Sequence, residues 1–201
     1  MISLSTTMGN SKSPAWQFGD LQMFGYDLIV ADPPWRFELY DEASGSAKSA
    51  QAHYDCMNLD AIKTLRVGDL ARGDCLLLMW ATECMRPQAH EVMAAWGFTY
   101  KSAFIWRKVT ANGKPRLGTG YRVRTMHEPV LVGTIGNPRH KPFPSVFDGI
   151  AREHSRKPEE FFALVDSVVP DCARAELFAR QRRAGWNAWG NETRKFEGQA
   201  A

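Results

Sequence analysis

Four consecutive residues, Asp32-Pro33-Pro34-Trp35, place a carboxylate, two prolines and an indole directly after a segment, residues 26–31, that reads as a buried strand. A diproline has no backbone N–H and two fixed φ angles, so the turn is stiff and presents carbonyl acceptors only. With a carboxylate before it and a flat ring after it, the turn suits an amine attached to a planar heterocycle. The exocyclic amine of a nucleobase is such a group, and a poor nucleophile, because its lone pair is delocalised into the ring. Acceptors on both N–H bonds, the Asp32 carboxylate and the Pro33 carbonyl, favour a pyramidal nitrogen able to attack a methyl donor. Pro34 keeps the turn rigid, and Trp35 stacks on a base taken out of its helix. The plain alternative is a turn that closes a strand.

A second group of residues suits a small polar ligand. Lys157 stands before Pro158, where a helix start would add its own positive end and favour a carboxylate. Arg180 follows the last predicted strand, residues 174–179, and Asn191 with Glu192 follows Gly190. The competing readings are a solvated lysine, a surface arginine and a turn-forming asparagine.

Between Lys101 and His127 lie seven cations, Lys101, Arg107, Lys108, Lys114, Arg116, Arg122 and Arg124, and no acid. Trp106, Tyr121 and three glycines interleave them. Cations, aromatic rings and a flexible backbone suit a nucleic-acid strand, with Arg107, Lys108, Lys114 and Arg116 on phosphates and Tyr121 on a base. Gly118-Thr119-Gly120 lacks the third glycine of a dinucleotide fingerprint and does not join a strand to a helix.

The elements that must position these residues alternate. Strands are predicted at residues 26–31, 75–80, 99–106, 128–133, 145–150 and 174–179. Helical patterns follow at Leu59, Ile62 and Leu65 behind an Asn58 cap, from Pro87 to Gly97, and from Pro158 through Phe161, Phe162, Val165 and Val168. Such alternation predicts an α/β fold, a mainly parallel sheet with helices on both faces. Ligands of such sheets bind at the carboxyl ends of strands, where Asp32 and Arg180 fall. Residues 1–20 read as a loose N-terminal arm, 21–193 as one catalytic domain and 194–201 as a tail.

The motif and much of the chain from Tyr26 to Glu192 resemble the adenine-N6 methyltransferase family that contains the catalytic subunit of the mRNA adenosine methyltransferase and many bacterial and phage DNA adenine methyltransferases. The matching segments are His53-Tyr54-Asp55-Cys56-Met57, Phe104-Ile105-Trp106-Arg107-Lys108, Gly118-Thr119-Gly120-Tyr121, His127-Glu128, Glu153-His154-Ser155-Arg156-Lys157-Pro158, Glu176-Leu177-Phe178-Ala179-Arg180 and Trp186 to Glu192. The resemblance implies a Rossmann-like methyltransferase fold with the amine-binding motif before the cofactor-binding strand. It further implies S-adenosylmethionine as cofactor, with Lys157 on its carboxylate and Arg180, Asn191 and Glu192 on its ribose and adenine. Tyr54 matches an aromatic near the reaction centre, with packing as the alternative. DNA is the expected substrate because the chain is short and shows no appended RNA-binding module; RNA methylation and a non-catalytic partner subunit are the other readings. The other expected partners are a second copy of the chain or a partner subunit.

Bulk properties narrow the class. Residues 1–100 carry 7 Lys+Arg against 12 Asp+Glu, a net −5, and residues 101–201 carry 18 against 10, a net +8. That split suggests a face for a polyanion. The four cysteines form no Cys-x-x-Cys pair and the five histidines sit at no ligand spacing from them, so no metal is expected. Cys75 and Cys84 read as small core residues. No run of 18 apolar residues and no signal-peptide pattern occurs, which predicts a cytoplasmic protein without a membrane partner.

Overall fold

Tyr26–Ala31 forms strand β1, buried on both faces from Leu28 to Ala31, as that apolar run requires. The computed structural model describes residues 15–35, 56–118, 122–153 and 155–197. The remaining strands are β2 (Ala71–Trp80), β3 (Thr99–Val109), β4 (His127–Ile135), β5 (Val146–Ile150), β6 (Arg174–Leu177) and β7 (Asn187–Trp189). They make one sheet in the order β5-β3-β4-β2-β1-β6-β7. β4 runs antiparallel to both of its neighbours, β2 and β3, and the other four pairings are parallel. The sheet is therefore mixed, with six strands pointing one way.

Alternating side chains feed two cores, as strand geometry dictates. Ile29, Ala31, Cys75, Leu77 and Met79 pack on one face, against Ile62 of helix α1 (Leu59–Lys63) and Ala89, Val92 and Met93 of α2 (Arg86–Ala95). Leu28, Val30, Leu76, Leu78 and Trp80 pack on the other, against Phe161, Phe162 and Val165 of α3 (Glu159–Val168). Helices thus cover both faces.

Local sequence accounts for the helix ends. Asn58 Oδ1 accepts the Ala61 amide at 2.7 Å, and Pro87 lies in the first turn of α2. Gly97, at φ 84°, takes the left-handed turn after α2 that an L side chain resists.

Several expectations need correction. β2 starts four residues before Cys75 because its exposed segment Arg72, Gly73 and Asp74 has no apolar period, yet its backbone still reaches the register of Tyr26 with Ala71. β6 ends at Leu177, where Phe178 turns the chain at φ 60°. β7 was not expected; three residues are too few to show a period. The arm does not run loose to residue 20, since Phe18 is buried edge-on to Trp189 and the Trp16 indole donates to the Leu21 carbonyl at 2.8 Å. Phe196 of the expected tail is buried too, with the Arg156 guanidinium 5.0 Å from its ring. Cys75 is buried, but Cys84 is exposed in the turn Glu83–Met85.

Candidate active site

The motif begins where β1 leaves the sheet. The Asp32 amide donates to the Leu177 carbonyl of β6 at 3.3 Å, and the Trp35 amide to the Pro33 carbonyl at 2.8 Å. One lone pair of the Pro33 carbonyl remains for another donor. The Met57 amide donates to the Pro34 carbonyl at 3.1 Å, bringing the start of α1 against the motif. Trp35 is buried, and its indole N–H donates to the Trp80 carbonyl at 3.2 Å. Its ring is a fixed wall locked to the end of β2 and lines a cavity.

A line of four charges runs through the site. Lys157 Nζ lies 3.1 Å from Asp32 Oδ1 and 3.0 Å from Glu128 Oε2, and Glu128 Oε1 lies 2.5 Å from Lys108 Nζ. Lys157 also sits 4.8 Å above the Trp80 ring. Burial pushes Asp32 above the usual carboxylate range, against the pull of Lys157 and Arg180. Burial acts upward on Glu128 as well, but Lys157 and Lys108 together outweigh it and hold the carboxyl at about 2. Burial opposes the charge of Lys157, and Asp32 with Glu128 overcomes it, so its pKa is raised.

Two cavities meet at Asp32. The first, about 250 Å³, is lined by Asp32, Pro34, Met57, Phe178, Arg180, Trp189 and Gly190 with Asn191 and Glu192. The second, about 330 Å³, opens between Pro33, Trp35, Trp106, Lys108, Arg116, Glu128 and Lys157. A narrow chamber bordered by Lys157, Glu176 and Arg180 lies behind Asp32. The first cavity offers apolar walls beside an amide, a guanidinium and a carboxylate; the second offers indoles and carboxylates ringed by cations. Phe178 and Ser155 are non-glycine residues at positive φ, 60° and 64°, and each borders a cavity. Such backbone persists where the surroundings over-determine it.

Of the residues expected from sequence, Asp32, Pro34, Arg180, Asn191 and Glu192 come together at the first cavity, and Pro33, Trp35, Lys108 and Arg116 at the second. Lys157 stands between Asp32 and Glu128 and borders the second cavity and the narrow chamber. The helix start beside it already carries Glu159 and Glu160, which complement the helix dipole. Arg107 is separated from the others. Strand alternation turns it away from Trp106 and Lys108, and it pairs with Asp148 of β5 at 2.5 Å. Lys114 is exposed. The loop that carries it is ordered by bonds from the Thr110 amide to the Lys114 carbonyl and from the Arg116 amide to the Lys108 carbonyl, so its described part is a hairpin extension of β3. Tyr54 and Tyr121 lie outside the described residues.

Two carboxylates were missed as site residues. Glu128 bridges Lys108 and Lys157, and Glu176 is a largely but not fully buried acid of β6, 3.7 Å from Arg183 Nε. Burial lifts Glu176 to about 7, with Arg183 pulling it down. The available signal was an acid between the apolar residues Ala175 and Leu177 of a strand, which burial makes costly without a purpose or a partner. Among the described residues no group of His, Cys, Asp or Glu is placed to hold a metal ion, and no helix is long and apolar enough to cross a membrane.

A mixed sheet flanked by helices, with paired cavities at the strand ends around an Asp-Pro-Pro-Trp turn, defines an α/β domain of the methyltransferase class. Residues 26–192 match the MT-A70 family, and the chain belongs to it. It is 31% identical to the type II methyltransferase M.MunI of a Mycoplasma species, over 87% of this chain and 81% of that protein. It is 30% identical to the N(6)-adenosine-methyltransferase MT-A70-like of Arabidopsis thaliana, over 88% of this chain and 26% of that protein. The N6-methyladenosine RNA methyltransferase MTA1 of Cryphonectria parasitica is 31% identical, over 86% of this chain and 53% of that protein. The chain therefore spans most of one of these relatives and about half or less of the other two.

Proposed function

We propose that this protein transfers a methyl group from S-adenosylmethionine to the N6 amine of adenine, and that the adenine is in DNA. The observation that carries the reading is Asp32, which forms a wall common to both cavities and so touches the place where donor and acceptor would meet. The first cavity fits the donor: Pro34, Met57, Phe178 and Trp189 suit a nucleoside face, Asn191 and Glu192 a ribose diol. Lys157 and Arg180, beside the narrow chamber, are the cations for its carboxylate. When bound, the cofactor supplies a methyl group made electrophilic by its sulfonium.

The chain's own residues do the rest. Asp32 and the free lone pair of the Pro33 carbonyl accept the two amine hydrogens. Trp35 and Trp106 wall the base, and the raised pKa of Asp32 suits it to take up the proton that the amine releases. Lys114 and Arg116, on the exposed hairpin, meet the phosphates.

DNA is favoured by the match to the type II methyltransferase over most of its length, and RNA by the similarity to the fungal RNA methyltransferase. A partner subunit without catalysis would have no need of the Asp32 and Pro33 acceptors. The deciding experiment incubates the protein with methyl-labelled cofactor and duplex DNA, single-stranded DNA or RNA, followed by digestion to nucleosides. Label in N6-methyldeoxyadenosine is expected. Label only in N6-methyladenosine from RNA would overturn the DNA assignment, and no label in any adenine would overturn the reading.

A further inference from the structure

Lys108 shares a face of β3 with Phe104 and Trp106, because side chains two apart on a strand point the same way. Its ammonium lies 2.5 Å from Glu128 and 5.0 Å from the centre of the Trp106 ring. The other oxygen of Glu128 binds Lys157, which binds Asp32. Two cations and two anions thus alternate from β3 through β4 and the start of α3 to the end of β1. Arg180 faces Asp32 from beyond β6, and Glu176 faces it from within β6 with Arg183 as its own partner.

We propose that Lys108 is a positioning residue, which holds Glu128 so that Lys157 stays shared with Asp32, and that it makes no phosphate contact. The proposal rests on the methyltransferase reading for its effect on turnover. Without Lys108, two largely buried carboxylates share one lysine, and uptake of a proton is the relief available to them. Asp32 and Glu128 are coupled through Lys157, so the proton belongs to the pair. A protonated Asp32 carries an O–H donor where the amine needs an acceptor, and transfer stops. Activity should then require a higher pH, at which that proton leaves again.

The test uses the full chain with Lys108→Met, Lys108→Gln and Lys108→Arg. Carboxyl titrations are followed by carbon NMR on protein labelled in Asp and Glu, kcat is measured against pH, and duplex DNA binding is titrated with salt. In the Met and Gln variants a carboxyl midpoint should rise by about one pH unit or more. The acid limb of kcat should rise with it, the salt slope should stay unchanged, and Arg should restore the wild-type profile. Unmoved carboxyl titrations would overturn the proposal. So would a salt slope smaller by about 0.9 with the pH profile intact, the mark of a lost phosphate contact. The NMR titration needs no turnover, so an inactive wild type would sink the methyltransferase reading while the role of Lys108 was still decided.

Discussion

Asp32 closes β1 with its carboxylate 3.1 Å from the ammonium of Lys157, which precedes α3. The acceptor is therefore an ion-pair member before any substrate arrives. Lys157 divides itself between Asp32 and Glu128, so Asp32 is incompletely neutralised and keeps lone pairs directed at the cavities.

Asp32→Asn keeps the shape of the side chain and removes its charge. Methyl transfer should fall by roughly 10²–10³-fold, the usual cost of losing one electrostatic contact made at the reacting group. Cofactor affinity should change only a few-fold, as read by calorimetry. Loss of cofactor binding in step with turnover would assign Asp32 to the donor.

Glu176 predicts a pH dependence of stability. Its folded-state pKa of about 7 lies above the ordinary 4.5, so the folded form holds its proton more tightly. The stabilisation is complete below pH 4.5 and is lost as pH rises through 7. For this largely buried group it amounts to on the order of 3 kcal/mol. Glu176→Gln stays neutral, so its melting temperature should match wild type near pH 4.5 and exceed it at pH 8. A gap independent of pH would contradict the assignment.

Gly190 borders the donor cavity at φ 156°, and a Cβ there would lie 2.9 Å from the Ala179 nitrogen and 3.0 Å from its oxygen. Both are backbone atoms, so the turn itself has to shift. Gly190→Ala should cost about 1–3 kcal/mol of stability and weaken cofactor binding, read by thermal melting and calorimetry. Unchanged cofactor affinity would place the donor elsewhere.

Lys114 and Arg116 are exposed on the hairpin, whereas Arg107 is tied to Asp148. The double change Lys114→Ala with Arg116→Ala should lower the slope of log affinity for duplex DNA against log salt by roughly 1.8, about 0.9 per lost contact. Arg107→Ala should leave the slope unaltered. Equal effects from both variants would show that Asp148 does not occupy Arg107.

The core and the helix ends were legible in sequence because their causes are local. The run from Tyr26 to Ala31, the Asn58 cap and the Gly97 turn each act within a few residues. β7 and the exposed start of β2 were not legible, since they are strands only by virtue of pairing with β6 and β1. Arg107 and Lys108 illustrate the same limit inside the site: adjacent cations in one basic loop, sent to opposite faces by a strand that extends three residues beyond residue 106.

By itself the sequence determined the Asp-Pro-Pro-Trp turn, its place after a buried strand and the polar residues after the last long one, because rigid prolines and apolar runs specify local conformation. Only the tertiary structure decided that Glu128, reversed on β4 between β2 and β3, meets Lys108 and Lys157, and that Lys157 meets Asp32. Those contacts join residues far apart in the chain. Their distances follow from strand order and direction, which sheet pairing sets and no local pattern encodes.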